Sequence, residues 1–197
     1  GLVDLCPTAR IEFAMHGEPT LHPDYLRYIE FFRLWLPDAQ FQLTTNGKRF
    51  IGQMQLKVDS LFKSGIDIIV LDTYYPERDK LWDEAVKLEH GVTVTNFYLT
   101  RQFSPWHNYK RNVQRRLVLM DDLETRNGEM KSRVIMNHAG NNLGYSPKLE
   151  RPLEKTCTLP FREFTVCYDG DVNICCMDWG HEFVCGNVLK SKPQDIW

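Results

Sequence analysis

Short apolar segments alternate with longer amphipathic segments along most of the chain, which predicts strands alternating with helices. In the first amphipathic segment Tyr25, Ile29 and Phe32 recur at helical spacing after Pro23, a residue that fits the first turn of a helix. Helices are predicted from near Pro23, at 50–63 and at 77–90, and strands at 11–15, 41–45, 66–74, 92–99 and 132–138. The pattern therefore indicates an α/β fold.

The order of these elements predicts right-handed crossovers and a mainly parallel sheet. Residues 66–71 support this interpretation, because a largely apolar run is typical of a strand that is buried on both faces. With 197 residues, 43% of them hydrophobic, the chain can bury a substantial core in one or two domains.

Charge and hydropathy exclude several classes of protein. A net charge of -2 and a sequence pI near 6.3 argue against nucleic acid as a partner. No apolar run reaches membrane-spanning length and no signal peptide is recognisable, so we expect a cytoplasmic protein without a membrane partner.

Polar residues follow the predicted strands at the edge where parallel α/β sheets place their chemistry. Any one of them alone is more simply explained as a turn residue or a helix cap. Together they predict a ligand-binding rim at the carboxyl ends of the strands. The rim residues include Glu18 after the first strand, Asn46 after the second, Asp72 and Thr73 after the third, Asn96 after the fourth and Asn137 after the last.

Five of the six cysteines fall within residues 157–188. Clustered thiolates are typical of iron or zinc ligation in a reducing compartment, although free core cysteines are the alternative. Alternating apolar residues around Asp169 and Gly170 predict a β-hairpin, with positive φ angles at this pair, that folds Cys175 back toward Cys157. Because neighbours on a strand face opposite ways, Cys175 and its neighbour Cys176 are not both expected to face one cluster.

These motifs together resemble the radical SAM enzymes, in the branch with a C-terminal SPASM or twitch domain. HGEPTLHP at 16–23 looks like the GGEP motif of that family, and TTNG at 44–47 and NHAGN at 137–141 also match. Cys157, Gly170 and Cys175 have the spacing of the branch's cysteine segment. The resemblance implies a partial, TIM-like (β/α)6 barrel with about five of its strands in residues 1–150, followed by a truncated SPASM-like iron–sulfur domain in residues 151–197.

The resemblance also implies an enzyme of the oxidoreductase or maturase type. Such enzymes bind S-adenosylmethionine (SAM) and a 4Fe-4S cluster, and cleave SAM reductively to a 5'-deoxyadenosyl radical that abstracts hydrogen from a substrate. By motif, Gly17 and Glu18 would receive the methionyl amino group, and Asp72 and Thr73 would lie near the ribose. The residues assigned in this way to SAM are Gly17, Glu18, Pro19, Thr45, Asn46, Asp72, Thr73, Asn96 and Asn137. Cys157 and Cys175 would ligate an auxiliary cluster, with Cys176 or Cys185 as further ligands.

The family's CxxxCxxC loop does not occur in this sequence, in which Cys6 stands alone upstream of Cys157. We therefore expect the first barrel strand and the cluster loop to lie upstream of Gly1, and further cluster cysteines to lie beyond Trp197. The chain as given is then expected to be inactive by itself.

Substrate and partners are not specified by these residues. The branch often modifies peptides or proteins, and its chemistry implies an electron donor such as flavodoxin or ferredoxin. Residues 101–116 mix bases with aromatic side chains, which suits a peptide or anionic substrate but is more simply a solvated loop and helix face. The alternative function is a non-catalytic scaffold or partner-recognition module that binds zinc or an iron–sulfur cluster.

Overall fold

The computed structural model describes residues 1–14, 16–73, 77–88, 93–96, 116–121, 123–126, 129–132, 151, 154 and 156–197. The chain divides into two compact units, one of Cys6–Ser132 and the other of Gly1–Leu5 with Arg133–Trp197. No helix in the described ranges is long and apolar enough to cross a membrane. The predicted domain boundary at residue 150 stays a prediction.

The Cys6–Ser132 unit is built on a parallel five-stranded sheet with the strand order β1-β2-β3-β5-β4. A short helix α1 (Leu2–Leu5) precedes this unit and belongs to the other one. The elements of the sheet unit are β1 (Arg10–Phe13), α2 (Tyr25–Trp35), β2 (Gln40–Thr45), α3 (Met54–Ser64), β3 (Ile68–Thr73), α4 (Arg78–Ala85), β4 (Thr93–Asn96) and β5 (Arg116–Asp121). An antiparallel hairpin of β6 (Leu123–Arg126) and β7 (Glu129–Ser132) follows.

The first four predicted strands and all three predicted helices are confirmed, with shifts of a few residues at their ends. β5 was not predicted, and it lies between β3 and β4. A barrel of sequential strands would instead place β4 beside β3, so the (β/α)6 part of the prediction is not confirmed. Of the predicted strand at 132–138, Ser132 ends β7, and the rest lies outside the described residues.

The helices of this unit pack against one face of the sheet. Side chains alternate between the faces along each strand, and parallel neighbours in register share a face. Phe41, Ile69 and Leu117 therefore face the same way, and they form one core with buried residues of all three helices, such as Val58 on α3. The opposite face carries a separate apolar cluster of Ile68, Val70 and Val118.

A buried ion pair stabilises the end of the sheet where β2 and β3 begin. Arg33, on α2, donates to Asp67 at 2.8 Å and to the carbonyls of Gly65 and Ala39 at 2.6 Å each. Its guanidinium lies 3.7 Å from the centre of the Phe41 ring, and Asp67 also accepts the Phe41 amide at 2.8 Å. The pair thus fixes α2 to the segments that lead into both strands.

The second unit contains a small antiparallel sheet with the order β10-β9-β8. Its elements are β8 (Thr165–Val166), β9 (Asp171–Asn173), β10 (Val184–Asn187) and the short helix α5 (Pro193–Ile196). The predicted hairpin is confirmed, but of its two turn residues only Gly170 has a positive φ, of 87°. Gly170 donates its amide to the Cys167 carbonyl at 3.0 Å, which indicates a longer turn with one glycine in the left-handed region rather than a two-residue turn.

Candidate functional site

Two segments of the rim meet at the carboxylate of Glu18. Oε1 accepts hydrogen bonds from the Thr20 amide at 3.0 Å, the Thr20 hydroxyl at 2.6 Å and the Thr45 hydroxyl at 2.7 Å. Oε2 accepts the Asn46 amide at 2.7 Å. The loop after β1 is therefore attached directly to the end of β2, as the parallel topology predicts.

Local sequence explains how these groups are positioned. Glu18 caps a 3-10 turn (Pro19–Leu21), in which Pro19 takes a position that needs no amide donor. Thr45, the last residue of β2, is only 2% exposed. Gly47 follows with a φ of 71°, a left-handed conformation that favours glycine, and the chain turns there into a second 3-10 turn (Lys48–Phe50).

Gly17 borders open space at the rim. Among the residues that the structure describes, none has an atom within 4 Å of a Cβ built on Gly17, whereas a Cβ on Gly47 would lie 3.2 Å from side-chain atoms of Leu71 and Leu81. Gly17 is also absent from the glycines with positive φ. Gly17 is exposed, so a Cβ at this position would point into open space, which leaves room for a ligand to approach the backbone.

Tyr25 and Arg49 belong to the surroundings of Glu18, although the sequence did not identify them. Burial is the main cause that raises the pKa of Tyr25; the Arg49 charge opposes this rise and the Glu18 charge adds to it. Thr20 was missed as well. Its position two residues after a carboxylate is a local signal for a side chain-to-backbone turn that could have identified it.

The other predicted SAM residues lie at different positions along the strands, near the carboxyl ends. Leu71 pairs in register with Thr45, so Asp72 comes one position beyond the pair, at the carboxyl end of β3. Thr73 and Asn96 are the last residues of β3 and β4. Asn137 lies outside the described residues. Hydrogen bonds thus join Glu18 to Thr45 and Asn46. The burial of Thr45 argues against a direct contact of its side chain with SAM, and the SAM contacts of the other residues in the set stay a prediction.

The cysteines of the second unit differ in exposure. Cys157 and Cys185 are exposed, Cys176 is partly buried, and Cys167 and Cys175 are buried. Cys185 lies at an irregularity of β10, between the two residues that pair with Asn173 and Val172, and a bulge of this kind turns a side chain away from the regular pleat. The thiols are therefore presented in different environments, and only Cys185 lies in a strand of the small sheet.

The pKa values of two of these thiols are raised. Burial raises the pKa of Cys176 to about 12, and its hydrogen bond to the Glu163 carboxylate acts in the same direction. Burial also raises the pKa of Cys167, with the charges of Asp169, Asp171 and Asp178 adding to the effect. A metal ion that binds Cys176 must therefore displace a firmly held proton, since thiolates are the ligating form.

The loop between β9 and β10 is organised by a buried carboxylate. Asp178 has no exposed surface, and it accepts the amides of Glu182 at 3.1 Å and Phe183 at 2.9 Å. Ile174 donates to the Phe183 carbonyl at 3.0 Å, which closes the base of the loop. This loop carries Cys175 and Cys176 at its start.

The donor set of this unit fits an iron–sulfur cluster in chemistry but not in arrangement. Cysteine thiolates are the usual ligands of such clusters. Among the described residues, however, no three His, Cys, Asp or Glu side chains are grouped closely enough to hold a metal ion. The approach of Cys157 to Cys175 therefore stays a prediction, and ligation would require the thiols to come together.

Comparisons with known proteins agree with both parts of the molecule. Residues 157–197 match SPASM, an iron-sulfur cluster-binding domain. The whole chain matches the crystal structure of BtrN in complex with AdoMet and 2-DOIA, with a TM-score of 0.69 and 19% identity over 64% of that chain. It also matches selenomethionine BtrN in an open conformation, with a TM-score of 0.57 and 18% identity over 62% of that chain.

At this level of identity the BtrN structures show the fold. The present chain spans less than two thirds of their length. No curated protein matches the sequence significantly.

Proposed function

We propose that this chain is part of a radical SAM enzyme of the SPASM type. The enzyme binds SAM at the Glu18 rim and an auxiliary iron–sulfur cluster at its C-terminal cysteines. The match of residues 157–197 to an iron-sulfur cluster-binding domain carries the proposal. BtrN, whose fold the chain shares, was solved with AdoMet, which supports SAM as the second cofactor.

The rim supports SAM binding by its geometry. SAM bound beside a reduced cluster would supply the capacity to abstract hydrogen from a substrate. The chain's own residues would bind and orient it, with the open space beside Gly17 admitting the methionyl end and Asp72 lying toward the ribose. No residue of the chain is assigned a proton-transfer role.

A likeness of part of the sheet to a (β/α) barrel remains part of the proposal. In a barrel all helices cover the outer face of the sheet. The helices of this chain share a single core on one face of the parallel sheet, which supports such a wall. The position of β5 between β3 and β4 departs from the sequential order of a barrel, so the likeness is proposed for β1 to β3.

We assign an auxiliary cluster to Cys157 and Cys175, with Cys176 or Cys185 as further ligands. The type of donor supports this assignment. Because the described thiols are not grouped, no chemical step is derived through the cluster.

A peptide or protein is our proposed substrate, with a flavodoxin or ferredoxin as electron donor and the reducing cytoplasm as location. The substrate and the electron donor rest on the sequence resemblance alone. The described cysteines form no disulfide, which supports a reducing compartment.

The experiment that tests the function uses the complete protein, reconstituted anaerobically with iron and sulfide. We expect visible absorbance from iron–sulfur clusters, and formation of 5'-deoxyadenosine from SAM after reduction with dithionite. Bound clusters without SAM cleavage would favour the non-catalytic scaffold. A colourless protein that retains only zinc would contradict the proposed iron–sulfur cluster and would also favour the scaffold.

A further inference from the structure

We propose that Glu18 acts as a positioning residue, whose carboxylate fastens the loop 17–20 to the end of β2 and so fixes the rim before any ligand binds. Motif resemblance instead assigns Glu18 directly to the SAM amino group. This inference deepens the proposed function and rests on it for SAM affinity, whereas the fastening itself can be measured without SAM.

The carboxylate is almost fully occupied by the protein. A carboxylate offers about four lone-pair sites. Three donors, from Thr20 and Thr45, already converge on Oε1, and the Asn46 amide occupies one site of Oε2. Three donors thus share the two lone pairs of Oε1, and only one site of Oε2 is left, so a SAM ammonium group cannot form a two-oxygen contact with Glu18 unless these bonds are released.

The two donors outside the loop adjoin a rigid element, since Thr45 ends β2 and Asn46 follows it. β2 is paired on both sides, with β1 and with β3. Thr45 is buried, and its hydroxyl also accepts the Gly47 amide at 3.1 Å while it donates to Glu18. Hydrogen bonds to a charged acceptor are about twice as strong as neutral ones. The loop after β1 is therefore held by the sheet through Glu18.

The consequence for ligand binding concerns the residue next to Glu18. Gly17 precedes it directly and borders open space at the rim. Fastening Glu18 fixes the backbone of Gly17 relative to β2, so the groups that meet a ligand are in place before it arrives. Loss of the fastening would then weaken binding even when the lost group does not touch the ligand.

Thr45→Val separates the two roles, because Thr45 is too buried to touch a ligand and its hydroxyl reaches Glu18. The complete protein is compared with Thr45→Val, Glu18→Gln and the rescue variant Thr45→Ser. Ser64→Ala serves as control, since it removes a buried hydroxyl that donates to the Leu61 carbonyl at the end of α3, before β3 begins.

Two quantities are measured at a temperature well below the midpoint of thermal unfolding. The first is hydrogen exchange of the Thr20 and Asn46 amides without ligand, and the second is the dissociation constant of SAM. We expect Glu18→Gln and Thr45→Val each to speed exchange of both amides by roughly tenfold and to weaken SAM binding by about fivefold or more. Thr45→Ser should restore both quantities, and Ser64→Ala should change neither.

If the Thr20 and Asn46 amides exchange at the wild-type rate in Glu18→Gln, the carboxylate does not fasten the loop 17–20 to β2, and the proposal is wrong. Wild-type SAM affinity in Thr45→Val, with affinity lost in Glu18→Gln, would make Glu18 a direct ligand and overturn the proposal. If Glu18→Gln fails to fold, the amide exchange and SAM affinity of Thr45→Val and Thr45→Ser test the proposal without it. Absence of SAM binding by the wild-type protein would instead contradict the proposed function. The exchange rates of the two amides would still test whether Glu18 fastens the loop to β2.

Discussion

The rim of the Cys6–Ser132 unit and the cysteine segment of the other unit differ in how complete each site is without its ligand. At the rim, donors from Thr20, Thr45 and Asn46 already converge on one carboxylate. In the cysteine segment the described thiols range from buried to exposed, and no three metal-binding side chains are grouped. The first site is preorganised, whereas the second, with the cluster that we propose for it, would need the metal to assemble it.

The difference follows from the chemistry of the two groups of side chains. A carboxylate and amide or hydroxyl donors stabilise each other directly, so a polar rim can be ordered by the protein alone. Thiols form weak hydrogen bonds, and converging thiolates repel each other until a cation is bound. Metal binding is therefore coupled to the folding of such a site.

The largest expected effect is loss of the auxiliary cluster. Replacing Cys157 or Cys175 with serine should remove nearly all of its visible absorbance and iron, because a cluster held by few thiolates does not survive the loss of one. The matched control is Cys167→Ser, which removes a buried thiol that was not predicted to be a ligand. Equal iron loss in the Cys167 variant, measured by iron analysis after reconstitution, would show that our assignment of ligands along the hairpin is wrong.

The next largest effect tests whether the preorganised unit depends on its buried ion pair. Arg33→Ala removes the guanidinium that pairs with Asp67, which is only 7% exposed. Breaking such a pair should lower the free energy of unfolding by about 3–5 kcal/mol. Urea denaturation measures this loss. Arg27→Ala, at an exposed position of the same helix, should stay within about 0.5 kcal/mol of wild type.

A smaller effect distinguishes the two glycines of the rim. Gly47→Ala should lower the free energy of unfolding by about 1–2 kcal/mol, since its φ of 71° is left-handed. Gly17→Ala should leave stability within about 0.5 kcal/mol of wild type while it weakens SAM binding, because its Cβ would enter the open space. Thermal denaturation and SAM titration of both variants check this pair. Unchanged SAM affinity in Gly17→Ala would remove Gly17 from the site.

The smallest effect is a pH dependence of the free energy of unfolding, caused by the Cys176 thiol of the metal-free cysteine segment. The folded Cys176 thiol keeps its proton up to a pKa of about 12, whereas the unfolded thiol loses it near its ordinary value of 9.0. Its contribution to stability is therefore complete below pH 9 and is lost as the pH rises toward 12. Cys176→Ser should flatten the fall in unfolding free energy over this range, and the exposed control Cys185→Ser should not. Identical slopes for all three proteins would contradict the assignment.

Much of the fold was predictable because local pattern and burial agree. β1, β2 and β3 and the helices between them follow from hydrophobic periodicity, and the resemblance to the SPASM branch of the radical SAM family is confirmed. β5 was missed because its apolar run follows a basic, aromatic segment that suggested a loop. Its place between β3 and β4 depends on non-local pairing, which periodicity cannot specify.

The sequence by itself determined which groups are available: an acidic residue after β1, polar residues at the end of β2, and cysteines at cluster spacing. Only the tertiary structure decided how they are used. The Glu18 carboxylate turns toward Thr45 and Asn46 because parallel pairing of β1 with β2 brings their carboxyl ends together. Chain spacing fixes the order of these residues, but a hydrogen bond across 28 positions forms only when the sheet has assembled.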